Sequence, residues 1–152
     1  RAGTKTYFAL VRGHFQHEWP IDVDTPLDEK ASSSTVWCLG RSHRPRCSLV
    51  KVQPHTGRFH QVRRHVRDLH HPIIGDVKHG DSKVNRWWRE ERGMGRVALH
   101  CGRMTLPFPE GEQTFECPLF EDMAEVLKAL PWFERAAEQE PLLREEPLII
   151  PP

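Results

Sequence analysis

The chain has 152 residues, 38% of them hydrophobic and 28% charged, with five tryptophans and a formal net charge of +1. That length supports one domain with a sizeable core, and that composition argues against disorder for most of it. No apolar run approaches the ~20 residues of a bilayer span, and the opening RAGTKTYFAL lacks the apolar stretch of a secretory signal.

Residues 4–12, TKTYFALVR, place Tyr7, Ala9 and Val11 on one face and Phe8 and Leu10 on the other. A strand apolar on both sides belongs inside a sheet. Residues 20–34, with Pro20, Pro26 and a serine run, read as a loop. Further strands are predicted at 35–39 and 47–53. Pro54-His55-Thr56-Gly57 then breaks the chain, and Thr56 is the expected N-cap of a helix. On that helix Phe59, Val62, Val66 and Leu69 share one face, and Pro72 stops it. Residues 72–95 read as irregular because of Pro72, Gly75, Gly80, Gly93 and Gly95. A strand follows at 96–106. A last helix is expected over 121–130, where Met123, Val126, Leu127 and Leu130 repeat at helical spacing, and an extended, proline-rich tail over about 138–152. The fold class is α+β, a mixed, mainly antiparallel sheet with helices packed on it, in a single domain.

The net charge conceals a division. Residues 41–103 carry fifteen Lys/Arg against five Asp/Glu, and residues 104–152 carry three against eleven. The basic middle is the footprint expected of a nucleic-acid binder, or it is neutralised within the fold by the acidic end. Cys38, Cys47, Cys101 and Cys117 form no C-x-x-C pair, so neither a zinc site nor a disulfide framework is indicated. Reduced thiols suit an intracellular, cytoplasmic protein, or an organellar one. His55, His60, His65 and His70 recur every five residues, a rotation of about 140° per step on a helix, so neighbours in the series share no face and no metal site is expected.

Three stretches carry a resemblance: KTYFALVRG (5–13), TGRFHQVRRHV (56–66) and HPIIGDVKHGD (71–81). In order and spacing they resemble successive motifs of the RluA/TruC group of pseudouridine synthases. PIDVDTPLDEK and GDVKHGDSKVNRWWRE point to the TruC-like branch, which acts on tRNA. The resemblance implies the α+β fold of that catalytic domain, an RNA partner, and no cofactor, metal or membrane. In that family an aspartate attacks the target uridine, the glycosidic bond breaks, and the uracil turns and rejoins through carbon.

Tyr7 matches the family's tyrosine that lies against the flipped base and is implicated in proton removal from its C5. Arg63 matches the arginine that pairs with the catalytic aspartate. Its place at the border of the apolar helix face lets it turn its fork inward onto a carboxylate, whereas Arg64 points to solvent. Arg58, His60, Gln61, Arg64, Arg67, Lys78, Lys83, Arg86 and Arg89 are the expected RNA contacts. Trp87 and Trp88 fit either base stacking or a core position under a long loop.

The family's nucleophile sits in a motif H-R-L-D-x-x-T-[SA]-G that precedes K-x-Y. None of Asp22, Asp24, Asp28, Asp68, Asp76, Asp81 or Asp122 lies in such a motif. Asp76, beside Gly75 and Pro72, reads as part of a structural turn. The chain is therefore expected to be the C-terminal portion of the enzyme, inactive alone, with Arg63 half-buried and unpaired until an N-terminal segment supplies the aspartate. The alternative is a non-catalytic RNA-binding module built on the same scaffold.

Overall fold

The structure is a computed structural model and describes residues 3–151. Six strands form one sheet: β1 (Thr4–Arg12), β2 (Ile21–Val23), β3 (Ser34–His43), β4 (Arg46–Pro54), β5 (Leu99–Phe108) and β6 (Gly111–Glu116). Their order is β2-β3-β4-β1-β5-β6, and every pairing between named strands is antiparallel. The sheet is thus wholly antiparallel rather than mixed. β1 lies inside it, as its two apolar faces require, with Phe8, Ala9, Leu10 and Val11 all fully buried.

Helices cover both faces. α1 (Gln61–Asp68) sits on one, where His65 hydrogen-bonds Ser34 of β3. On the other lie α3 (Glu121–Lys128), α4 (Phe133–Gln139) and a 3-10 turn, Pro141–Arg144. There Gly40 makes a close approach possible: a Cβ on it would stand 2.6 Å from the Trp132 ring. The β3–β4 register shifts between Cys38 and Gly40, which turns Gly40 toward that tryptophan. Met123, Val126, Leu127 and Leu130 are buried, as their spacing requires.

Four local expectations are corrected, and one strand is added to them. Residues 21–23 form a short edge strand within the expected loop. The irregular reading of 72–95 gives way to α2 (Ser82–Arg92), because the glycines punctuate the helix rather than break it. Asp81 caps its start, accepting from the Lys83 and Val84 amides, and Gly93 closes its end with φ 76°. β6 was invisible because all of its residues are exposed and it has no buried face to create an alternation. Its charged side chains suit an edge strand. The tail is not simply extended: Leu142 and Leu143 are buried in the 3-10 turn. Finally, Thr56 is not the cap of α1, which starts after His60, and Phe59 lies outside the helix and is exposed, leaving Val62 and Val66 to bury its inner face.

Among the described residues no helix is long and apolar enough to cross a membrane.

Candidate active site: a tyrosine and an arginine on one cavity

The start of β1, the end of β4 and the loop entering α1 converge on a cavity of about 560 Å³, lined by Lys5, Tyr7, Arg58, His60, Gln61 and Arg63 among others. Its size falls within the ~300–1,000 Å³ usual for small-molecule sites. Tyr7 is half-buried and pairs in register with Cys101 of β5. Burial and the neighbouring Cys101 raise its pKa above the ordinary phenol value. The hydroxyl is therefore protonated at neutral pH, an acid and hydrogen-bond donor rather than a ready base.

The loop leading to Arg63 is fastened by Gln61. Its amide donates to the Ser33 carbonyl at 2.8 Å and to Ser34 Oγ at 2.9 Å. Its oxygen accepts from Thr56 Oγ1 at 2.6 Å and the Arg58 amide at 3.1 Å. This buried side chain lines the cavity and spends its amide inside the fold. His65 completes the anchor. Its Nε2 lies 3.0 Å from the Thr25 carbonyl, which only accepts, so the proton sits on Nε2 and Nδ1 accepts from Ser34 Oγ at 2.8 Å.

Arg63 turns inward, as its place on the helix implies, but it is not unpaired. Its Nε and Nη2 hold the two oxygens of Asp76 at 2.8 and 2.7 Å, a bidentate fork. The Asp76 side chain is fully buried, and its Oδ1 also accepts from the Lys78 and His79 amides. Burial alone would raise the Asp76 pKa; the Arg63 fork and the His79 amide outweigh it and hold the carboxyl below its ordinary value. The turn that presents Asp76 needs Gly75, whose φ is 85° and where a Cβ would collide with the Arg96 carbonyl.

Arg63 Nη1 lies 3.1 Å from His60 Nε2. With one side of the guanidinium on Asp76 and one N–H on His60, one proton each on Nη1 and Nη2 remains at the distal end. Those two N–H groups are what Arg63 has left for a further acceptor.

The chain matches the family model described as RNA pseudouridylate synthase over residues 2–68. Relatives named tRNA pseudouridine synthase C are 42% identical over 158 residues in Salmonella typhi, covering 84% of this chain and 59% of that protein. In Pasteurella multocida the identity is 34% over 132 residues, covering 72% and 54%. In Vibrio parahaemolyticus it is 31% over 155 residues, covering 86% and 63%.

Over residues 2–68 the chain is similar to the RNA pseudouridylate synthase family. The solved structure of human RNA pseudouridylate synthase domain containing 1 matches with TM-score 0.62 and 23% identity, covering 96% of this chain and 67% of that one. That likeness is one of fold. The chain spans little more than half the length of the tRNA pseudouridine synthase C relatives cited here. Their shared name agrees with the TruC-like branch that the motifs indicate.

The expected RNA-contacting cations divide. Arg58 lines the cavity while its Nε donates to the Ala31 carbonyl at 2.9 Å. Arg64 does not point freely to solvent: both its terminal nitrogens hold Asp28 at 3.0 Å. Arg67 is paired with Asp68. The Lys78 ammonium lies 5.0 Å from the Phe59 ring centroid. Lys83, Arg86 and Arg89 are exposed on α2, off the cavity lining. Lys5 is a lining cation that matches the lysine of K-x-Y but is not counted among the expected RNA contacts. Its position two residues before Tyr7, hence on the same strand face, was the available signal.

Proposed function

We propose that this chain forms the base-binding, arginine-bearing part of a tRNA pseudouridine synthase acting in the cytoplasm. The observation that carries the reading is that Tyr7 and Arg63, distant in sequence, line one cavity. The target uridine leaves its stack to reach such a site, as base-modifying enzymes require. Tyr7 lies along the base, and Lys5 and Arg58 meet its phosphates. The nucleophilic carboxylate comes from outside these 152 residues, from a segment preceding them, and docks on the distal end of the Arg63 guanidinium. The charge beside it keeps that carboxylate ionised for attack at the sugar. The carboxylate displaces the uracil from C1′ of the sugar. The freed uracil turns, its C5 displaces the carboxylate from C1′ in turn, the C5 proton passes to water, and N1 takes up a proton.

A second reading is a non-catalytic RNA-binding module. It is favoured by the Arg63–Asp76 fork, which satisfies one side of the arginine without any nucleophile. Release of tritium from a tRNA transcript labelled at uridine C5 separates the two. The protein extended by the residues its gene encodes before Arg1 is expected to release tritium, and the 152-residue chain is expected to bind tRNA without release. Binding by the extended protein with no release from any uridine would establish the module instead.

A further inference from the structure

Around α1 the arginines are committed: Arg63 to Asp76, Arg64 to Asp28, Arg67 to Asp68. At the other end of β1 the pattern reverses. Arg44 and Arg46, at the β3–β4 turn, and Lys83, Arg86 and Arg89, on α2, are exposed. No ion pair engages any of them among the described residues. The carboxylates of α2 are Glu90 and Glu91, too few to cancel this group.

Between that turn and α2 lies a second cavity of about 370 Å³, lined by Arg12, Pro45, Arg46, Val84, Trp87 and Trp88. Trp88 is buried and forms its wall, whereas Trp87 is 44% exposed. The two rings meet edge to face, with centroids 5.3 Å apart and planes at 78°. Arg92 approaches the Trp87 ring at 6.0 Å. Arg12 is held in place by Asp81 at 2.9 Å and the His70 carbonyl at 3.0 Å. Burial holds His71 below the ordinary histidine pKa; its hydrogen bond to the Arg12 carbonyl opposes this, and the Arg12 and Arg46 charges add to the lowering.

An apolar floor, an exposed indole and a rim of uncommitted cations suit a flat aromatic ring attached to a phosphate. A purely apolar partner would leave the cations unanswered, and an acidic peptide would leave the indole without a stacking surface.

We propose that this cavity is a second RNA site, holding an unstacked nucleobase against Trp87 with its phosphates on Arg46 and the exposed cations of α2. The inference rests on the RNA-directed reading above and extends it. Tyr7 and Arg12 stand five residues apart on β1, about 17 Å along a strand, and this odd separation sends their side chains to opposite faces of the sheet. The second site therefore holds the tRNA apart from the flipped uridine and adds to its affinity without extending the first cavity.

The test is fluorescence anisotropy of a fluorescein-labelled tRNA transcript with the full-length protein across a salt series. Trp87→Ala is expected to weaken binding about tenfold, and Trp87→Phe to recover most of it, since any aromatic face stacks a base. Arg46→Gln is expected to lower the slope of log K against log salt by about one. Trp87 is exposed, so Trp87→Ala should melt like the wild type. Wild-type binding with unchanged affinity in Trp87→Ala overturns this site while leaving the proposed function standing. The same result with altered self-association assigns the cavity to a protein contact. Failure of the wild type to bind tRNA removes both readings.

Discussion

Replacing Arg63 with alanine is expected to cost about 3–5 kcal/mol of folding stability, because it leaves a buried carboxylate without its partner. The Asp76 side chain is fully buried and takes both of its strongest hydrogen bonds from that arginine. The Lys78 and His79 amides remain to it in the variant, which places the expected loss toward the lower end. Even so, the loss is a large fraction of the ~5–15 kcal/mol typical of a domain. Combining Arg63→Ala with Asp76→Asn should recover part of it, since the orphaned charge is then removed.

The pH dependence has a definite sign. The folded-state pKa of Asp76 is lowered, so its contribution is fully present above the unfolded value of about 3.9 and is lost as pH falls through the folded one. The difference between wild type and Arg63→Ala should therefore be largest at neutral pH and shrink in acid. Urea denaturation at pH 7 and near pH 3 measures both. A loss under about 1 kcal/mol at neutral pH, the value of an exposed pair, would remove the fork from the account.

Tyr7→Phe is expected to lower turnover of the full-length enzyme by about 10²-fold, the lower end of the range for general acid–base groups. The ring that lies along the base is kept, so tRNA affinity should change little. The raised pKa of the hydroxyl implies that it works in its protonated form, so the wild-type rate should show no rise from phenol ionisation between pH 6 and 8. Single-turnover tritium release with Kd measured in parallel separates binding from chemistry. Turnover unchanged in Tyr7→Phe would confine Tyr7 to packing.

Much of the central sheet was legible because burial on two faces leaves a repeating mark: Phe8 and Leu10 on one side, Ala9 and Val11 on the other. Arg63 was legible as an inward-turned arginine from its angle beside Val62 and Val66. Its partner was not. Asp76 meets it across the end of α1 and a glycine turn, and nothing in local spacing encodes that encounter. The start of α1 was misplaced because His60 adopts the left-handed region, with φ 50°, and because Thr56 spends its hydroxyl on Gln61 instead of on a helix amide. β6 and α2 failed for opposite reasons. The first buries nothing, and the second is bounded by glycines that looked like breaks. Charge was legible in total but not in deployment: ion pairing withdraws the α1 arginines and leaves those of α2 exposed.

The most direct test of the account is C5 tritium release by the full-length protein carrying Arg63→Lys. Lysine keeps a positive charge beside Asp76 but has no planar fork to span two carboxylates. The expected result is a fall of about 10²-fold or more in release, the scale of a misplaced reacting group, with tRNA affinity near that of the wild type. Release close to the wild-type rate would contradict the assignment of Arg63 as the residue that positions the nucleophile.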